Sequence, residues 1–273
     1  MVQERGEGEL VNSSAVTTPA ELSLSGIWRT PLPHQAGEPL TRMLCRTFTA
    51  ISRRFVARIE GPLEALLPEQ DPCILVLNHN QRLESILVPT LILFYRGGKP
   101  LHFFADWNLF LIPGLALLYR RSRSIVVTRK SAKPRFLNVL KPLFQQSGTA
   151  FDRAVHLLRA GASVGVFPEG KMNRDPHSLM RGRSGAARLA LGTGVAIQPL
   201  GITFPWHGGG PIPDGARMKL TIGRRFRLPE PSDAAHPTVA EVRHGHRMIM
   251  EQLSALSGKK WPPRDVRKEE PCR

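Results

Sequence analysis

Two short segments carry residues whose types and spacing suit chemistry. In Leu77-Asn78-His79-Asn80-Gln81-Arg82-Leu83-Glu84 a histidine precedes a carboxylate, and well downstream the chain reads Phe167-Pro168-Glu169-Gly170. From His79 to Glu84 an α-helix would turn by about 500° at 3.6 residues per turn, so the two side chains share no helical face. They meet if His79 lies in a turn and Glu84 in the first turn of a following helix. An imidazole held in one tautomer by a carboxylate behind it is a general base for a substrate hydroxyl.

The flanking residues supply the elements this geometry needs. Cys73-Ile74-Leu75-Val76-Leu77 is a short aliphatic run that predicts a buried strand, and Ser85–Tyr95 is apolar enough for a core helix or a membrane-facing segment. His79 is therefore expected at a strand exit. Val164–Phe167 predicts another strand, ended by Pro168, which removes a donor and fixes φ. Gly170 allows close backbone approach, and Glu169 is expected at the C-terminal edge of the sheet, where α/β folds bind ligands. The bland reading of each residue is a hydrogen-bonded turn or a solvated acid.

Further strands are predicted over 101–105, 124–127, 195–204 and 217–222, with helices over 151–159, 182–191 and 239–256. Alternation of this kind predicts a single α/β domain with a mostly parallel or mixed central sheet flanked by helices. Ahead of it, Leu44, Phe48, Ile51, Phe55 and Ile59 recur at helical spacing among Arg42, Arg46, Arg53, Arg54 and Arg58, an expected amphipathic basic helix over 40–60. Residues 1–36, rich in Gly, Ser, Thr, Pro and Glu, are expected to be a disordered extension, and 259–273 a charged tail. Gly161-Ala162-Ser163-Val164-Gly165 matches the G-x-S-x-G hydrolase pattern, but with its helix before and its strand after it, the reverse of a nucleophile elbow. His244 and His246 point about 200° apart on a helix and form no metal face.

The chain has 273 residues and a formal charge of +16, from 38 Lys and Arg against 22 Asp and Glu, which implies anionic partners. Only two tyrosines and no recognisable motif accompany the basic runs, so nucleic acid is not expected. Three scattered cysteines, Cys45, Cys73 and Cys272, form no disulfide framework and favour a reducing compartment. No secretory signal is visible, and no apolar run approaches the ~20 residues of a spanning helix. Ile86–Tyr95 and Leu109–Tyr119 are the segments expected to be either core helix or a surface dipping into one leaflet.

In combination these segments resemble the glycerolipid acyltransferase family that includes the 1-acyl-glycerol-3-phosphate acyltransferases. The resemblance rests on His79-x4-Glu84, on Ser124–Arg129, on the run Leu158–Gly170 ending in Phe-Pro-Glu-Gly, and on Val195–Leu200, in the family's order. It implies an acyltransferase domain over 37–258, with His79 and Glu84 catalytic. It also implies that Arg129 grips the acceptor's phosphate and that Glu169 and Gly170 contact the acceptor or support the oxyanion. Lys171 and Arg174 lie on either side of Met172, which stands where the family places an arginine, and one or the other is expected to replace that guanidinium alongside Arg129. Glu84 replaces the usual aspartate. The implied reaction moves a fatty acyl group from acyl-CoA or acyl carrier protein to a lysophospholipid, foremost 1-acyl-glycerol-3-phosphate, with no cofactor or metal. The implied setting is peripheral, on the cytoplasmic face of an anionic phospholipid membrane. The rivals are a different lipid or glycolipid acceptor, and a non-catalytic basic protein binding membrane or nucleic acid.

Overall fold

The apolar run before His79 becomes the middle of a sheet. A computed structural model describes residues 16–17, 22–128, 131–132, 134–145, 147–205 and 210–261. Its strands are β1 (Val16–Thr17), β2 (Val56–Glu60), β3 (Ile74–Leu77), β4 (His102–Asp106), β5 (Ile125–Val127), β6 (Val164–Val166), β7 (Ile197–Thr203) and β8 (Met218–Ile222). They order as β1-β2-β8-β7-β3-β6-β4-β5. The run β7-β3-β6-β4-β5 is parallel throughout, while β8 joins β7 antiparallel. All four β3 side chains are buried, as a strand covered on both faces requires. The mixed α/β sheet expected from the sequence is the one observed.

Register positions the chemistry. Val76 of β3 lies opposite Val166 of β6, so the chain leaves both strands at one edge and carries His79 and Glu169 out side by side. Helices α1 (Leu24–Arg29), α2 (Pro39–Phe55), α3 (Glu84–Tyr95), α4 (Pro113–Arg121), α5 (Ala150–Arg159), α6 (Gly185–Thr193) and α7 (Val239–Ser257) cover the faces. Both α5 and α7 open on reciprocal capping boxes, Thr149 with Asp152 and Thr238 with Glu241, each satisfying two otherwise orphaned donors. Gly201 of β7 lets α7 approach, since a Cβ there would lie 2.5 Å from the Leu256 backbone.

Four expectations are corrected. The helix expected over 40–60 ends at Phe55, and Val56–Glu60 is β2, because beyond the Val56 cap the backbone bonds to β8 rather than to its own preceding turn. Its buried face is Thr41, Cys45, Thr49 and Ser52 rather than the larger apolar stripe, since small residues let α2 pack closely on its neighbour; Ile51 faces outward. The extension expected to reach residue 36 contains α1, whose Ile27 is fully buried with Leu93 and Phe94 of α3. The tail expected from residue 259 is docked at its start: Gly258 turns the chain with φ +67°, and Lys260 pairs with 177–179 through Lys260 N to His177 O (2.7 Å) and Leu179 N to Lys260 O (3.0 Å).

Leu87, Val88, Leu91, Ile92, Leu93 and Phe94 are buried, so α3 is a core helix and its apolar residues are not free to enter a leaflet. Among the described residues no helix is long and apolar enough to cross a membrane. At the opposite end of the strands, Asp71 is nearly buried between Arg96 (2.7 Å) and Lys99 (2.8 Å) and accepts from the Ser163 hydroxyl. Ser163, the serine of the hydrolase-like pattern, is thus a buried structural group at the start of β6, away from His79. Burial pushes the Asp71 carboxyl up, but Lys99, Ser163 and Arg96 more than offset it and hold it below the ordinary carboxylate range. A depressed carboxyl contributes stability that is present above the unfolded pKa and is lost as pH falls through the folded one. Asp71→Asn should leave the Arg96 guanidinium buried without its counter-ion and cost about 3–5 kcal/mol in urea unfolding at neutral pH. That cost should shrink toward acid pH.

Candidate active site

Glu84 is the first residue of α3 and is wholly buried. Its Oε1 lies 2.7 Å from His79 Nδ1 and also accepts from the Asn80 backbone N–H, while Oε2 accepts from Asn80 Nδ2 at 3.1 Å. A carboxylate only accepts, so Nδ1 donates to Glu84, and in the neutral imidazole this leaves the lone pair on Nε2. The His79 side chain is 20% exposed and its ring rests on Phe167, with centroids 4.7 Å apart. This is the placement expected of the pair: histidine in the turn, acid in the first helical turn, base open to solvent. The longer acid is accommodated because the turn loops back over its carboxylate.

The Glu169 carboxylate, expected to contact the acceptor or support the oxyanion, faces inward. Oε1 accepts from the His79 backbone N–H (3.0 Å), and Oε2 accepts from Asn173 Nδ2 (2.8 Å) and Met180 N (2.9 Å). Asn173 N in turn donates to His79 O at 2.7 Å. Glu169 therefore fastens the Phe-Pro-Glu-Gly turn to the histidine turn. Gly170 adopts φ +65° at the exposed rim, where a Cβ would come within 3.0 Å of the Arg183 side chain. Lys171 is exposed beside it. The guanidinium of Arg174 is paired with the Asp214 carboxylate rather than free for a substrate. Arg129 lies outside the described residues.

Several site residues escaped the sequence reading. Asn78 is locked to β7, giving Nδ2 to Ile202 O (2.9 Å) and taking Ile202 N (2.7 Å), and Gln81 is tied to Gly215 and Ala216. Four amide side chains, Asn78, Asn80, Gln81 and Asn173, thus fix the turns around His79, and for the first three their presence in the His79 motif itself was the available signal. Lys259 had none. From just beyond α7 its buried ammonium donates to Asn80 Oδ1 and, at 2.6 Å, to Asp175 O. Burial lowers the Lys259 pKa, opposed by the carboxylates of Glu169, Glu84 and Asp175. A cation so placed offsets buried negative charge that would otherwise be costly. Among the described residues no group of three or more His, Cys, Asp or Glu side chains is placed to hold a metal.

The sequence model of the family described as "Acyltransferase" matches residues 59–203, just over half of the chain. The chain belongs to the acyltransferase family. The matched segment runs from β2 to the end of β7 and holds His79, Glu84 and Glu169 but not Lys259. Among curated proteins, the chloroplastic 1-acyl-sn-glycerol-3-phosphate acyltransferase LPAT1 of Arabidopsis thaliana is 33% identical over 142 residues, 52% of this chain and 34% of that protein. The 1-acyl-sn-glycerol-3-phosphate acyltransferase of Borreliella burgdorferi is 26% identical over 134 residues, 49% of this chain and 46% of its own. This acyltransferase chain thus spans a third to a half of the curated relatives it matches. The crystal structure of the 1-acyl-sn-glycerophosphate acyltransferase PlsC from Thermotoga maritima shares the fold, with a TM-score of 0.51 at 18% identity over 84% of each chain.

Two substitutions examine how this acyltransferase site is held. Glu84→Asp supplies the family's usual acid on a backbone built for a longer one, and turnover should fall by about 10²-fold, since catalytic geometry fails over ~1 Å. Lys259→Met keeps an unbranched side chain, one atom shorter, and removes its charge. We expect kcat to fall at least about tenfold with substrate KM little changed, as for lost positioning of the base, and Lys259→Arg to restore part of it. Steady-state kinetics on folded variants read both.

Proposed function

We propose that this chain transfers a fatty acyl group from a thioester, acyl-CoA or acyl carrier protein, to the free hydroxyl of a lysophospholipid, with 1-acyl-glycerol-3-phosphate as the acceptor. The observation that carries this reading is the 2.7 Å contact of His79 Nδ1 with buried Glu84 at the C-terminal sheet edge of an acyltransferase-family chain. Nε2 takes the acceptor hydroxyl proton as that oxygen attacks the thioester carbonyl. Glu84 stabilises the imidazolium, which then protonates the departing thiolate. Because a thioester is already activated, this sequence of steps calls on neither a covalent acyl-enzyme nor a cofactor or metal. The curated relatives named for 1-acyl-sn-glycerol-3-phosphate support the acceptor. The +16 charge supports peripheral work on the cytoplasmic face of an anionic membrane.

A phosphate-free lipid acceptor is the second reading, favoured by the pairing of Arg174 with Asp214. One panel separates the two. Purified protein with labelled acyl-CoA or acyl carrier protein is offered 1-acyl-glycerol-3-phosphate and the matched monoacylglycerol, and products are resolved by thin-layer chromatography. The phosphorylated acceptor should be preferred, His79→Ala should abolish transfer, and Lys171→Ala should raise that acceptor's KM about tenfold through one lost charged contact. Wild-type turnover in folded His79→Ala would sink the mechanism. Equal use of both acceptors, unchanged in Lys171→Ala, would replace the phosphate assignment by the second reading.

A further inference from the structure

The stretch between β4 and α5 presents a surface that the catalytic site does not explain. From Trp107 to Phe151 the chain holds eight Lys or Arg residues and no Asp or Glu. Within it, the 3-10 segment Arg135–Phe144 has two faces. Leu137, Leu140 and Phe144 turn inward onto Trp107, Phe110 and Val126, and the Phe144 ring lies 5.6 Å from Trp107 and 5.9 Å from Phe110. Phe136, Val139 and Leu143 turn outward and are 73%, 77% and 77% exposed. Exposed Arg135 and half-buried Lys141 flank them.

Three large apolar side chains held in water on one short segment mark a surface made to be covered. Charge decides what covers it. A second copy would set one acid-free basic face against another, whereas an anionic bilayer offers hydrocarbon for the apolar trio and phosphate for the cations. Position agrees. The segment follows β5 and packs on residues that follow β4, so it stands at the same C-terminal sheet edge as His79 and Glu169.

We propose that the outward face of Arg135–Phe144 docks the protein on an anionic lipid bilayer, with Phe136, Val139 and Leu143 entering the acyl region and Arg135 and Lys141 against lipid phosphates. The inference rests on the lipid-substrate reading for its purpose, but vesicle binding is measured without substrate, so the two fail separately. The full chain is floated with phosphatidylcholine vesicles and with vesicles containing about one-third phosphatidylglycerol. Wild type should bind the anionic vesicles, and Phe136→Ser/Val139→Ser/Leu143→Ser should bind them about tenfold or more weakly. That variant should keep turnover on short-chain, monomerically dispersed substrates within about twofold, because its substitutions lie on the exposed face. In Phe136→Trp the indole emission should shift to the blue on these vesicles alone.

Wild-type flotation of the triple variant, or no shift in Phe136→Trp, overturns the proposal. So does loss of binding in Leu24→Ser/Trp28→Ser with the triple variant unaffected, which would move docking to the exposed apolar residues of α1. A concentration-dependent dimer that the triple variant abolishes while still floating like wild type would assign the face to self-association instead. Absence of acyl transfer by a wild type that floats normally would defeat only the functional reading.

Discussion

A carboxylate with no exposed surface is costly unless its oxygens are occupied, and Glu84, at the C-terminal edge of the sheet, is under that constraint. The Asn80 backbone and side chain, the His79 ring and the start of α3 all converge on it. Meeting the demand of the acid fixes the base: once Nδ1 is committed to Glu84, ring orientation and tautomer follow. Register between β3 and β6 then brings the second buried acid, Glu169, against the backbone of the same histidine. The two turns are one object held by two carboxylates.

Two buried acids also explain why a lysine from the far end of the sequence belongs here. Lys259 reaches Asn80 because Gly258 reverses the chain after α7 and Lys260 is laced to 177–179. Its charge lies within influence of Glu84, Glu169 and Asp175. The closing helix, which looks in isolation like a lid on the core, delivers the counter-charge of the site. Substitutions in the last turns of α7 would therefore act on the charge balance around His79 as well as on stability.

At the other end of the strands, Asp71 with Arg96, Lys99 and Ser163 is a separate buried charge cluster with a purely architectural role. Basic charge is spread unevenly as well. The stretch from Trp107 to Phe151 excludes acids and bears exposed apolar residues, while α3, the most apolar helix, is interior. Hydrophobicity and exposure are thus assigned by packing partners rather than by composition.

The sequence alone determined an α/β layer structure with covered strands at Cys73–Leu77 and Val164–Phe167, because short aliphatic runs there alternate with helical patterns, and it left a mostly parallel and a mixed sheet both open. It also determined the His79–Glu84 pairing, since the spacing admits contact only across a turn and a first helical turn. Which face of α2 is buried was not legible there, because Thr41, Cys45, Thr49 and Ser52 show no hydrophobic period and are chosen for closeness to α3. Nor was the inward aim of Glu169, which depends on a histidine ninety positions away being in register with it. Lys259 shows the limit most clearly: in the sequence it is one cation among 38. Only the fold, by bringing Lys259 onto Asn80 within the influence of two buried carboxylates, gives it a place in the site, because long-range electrostatic demand is a property of three-dimensional neighbours and leaves no local pattern.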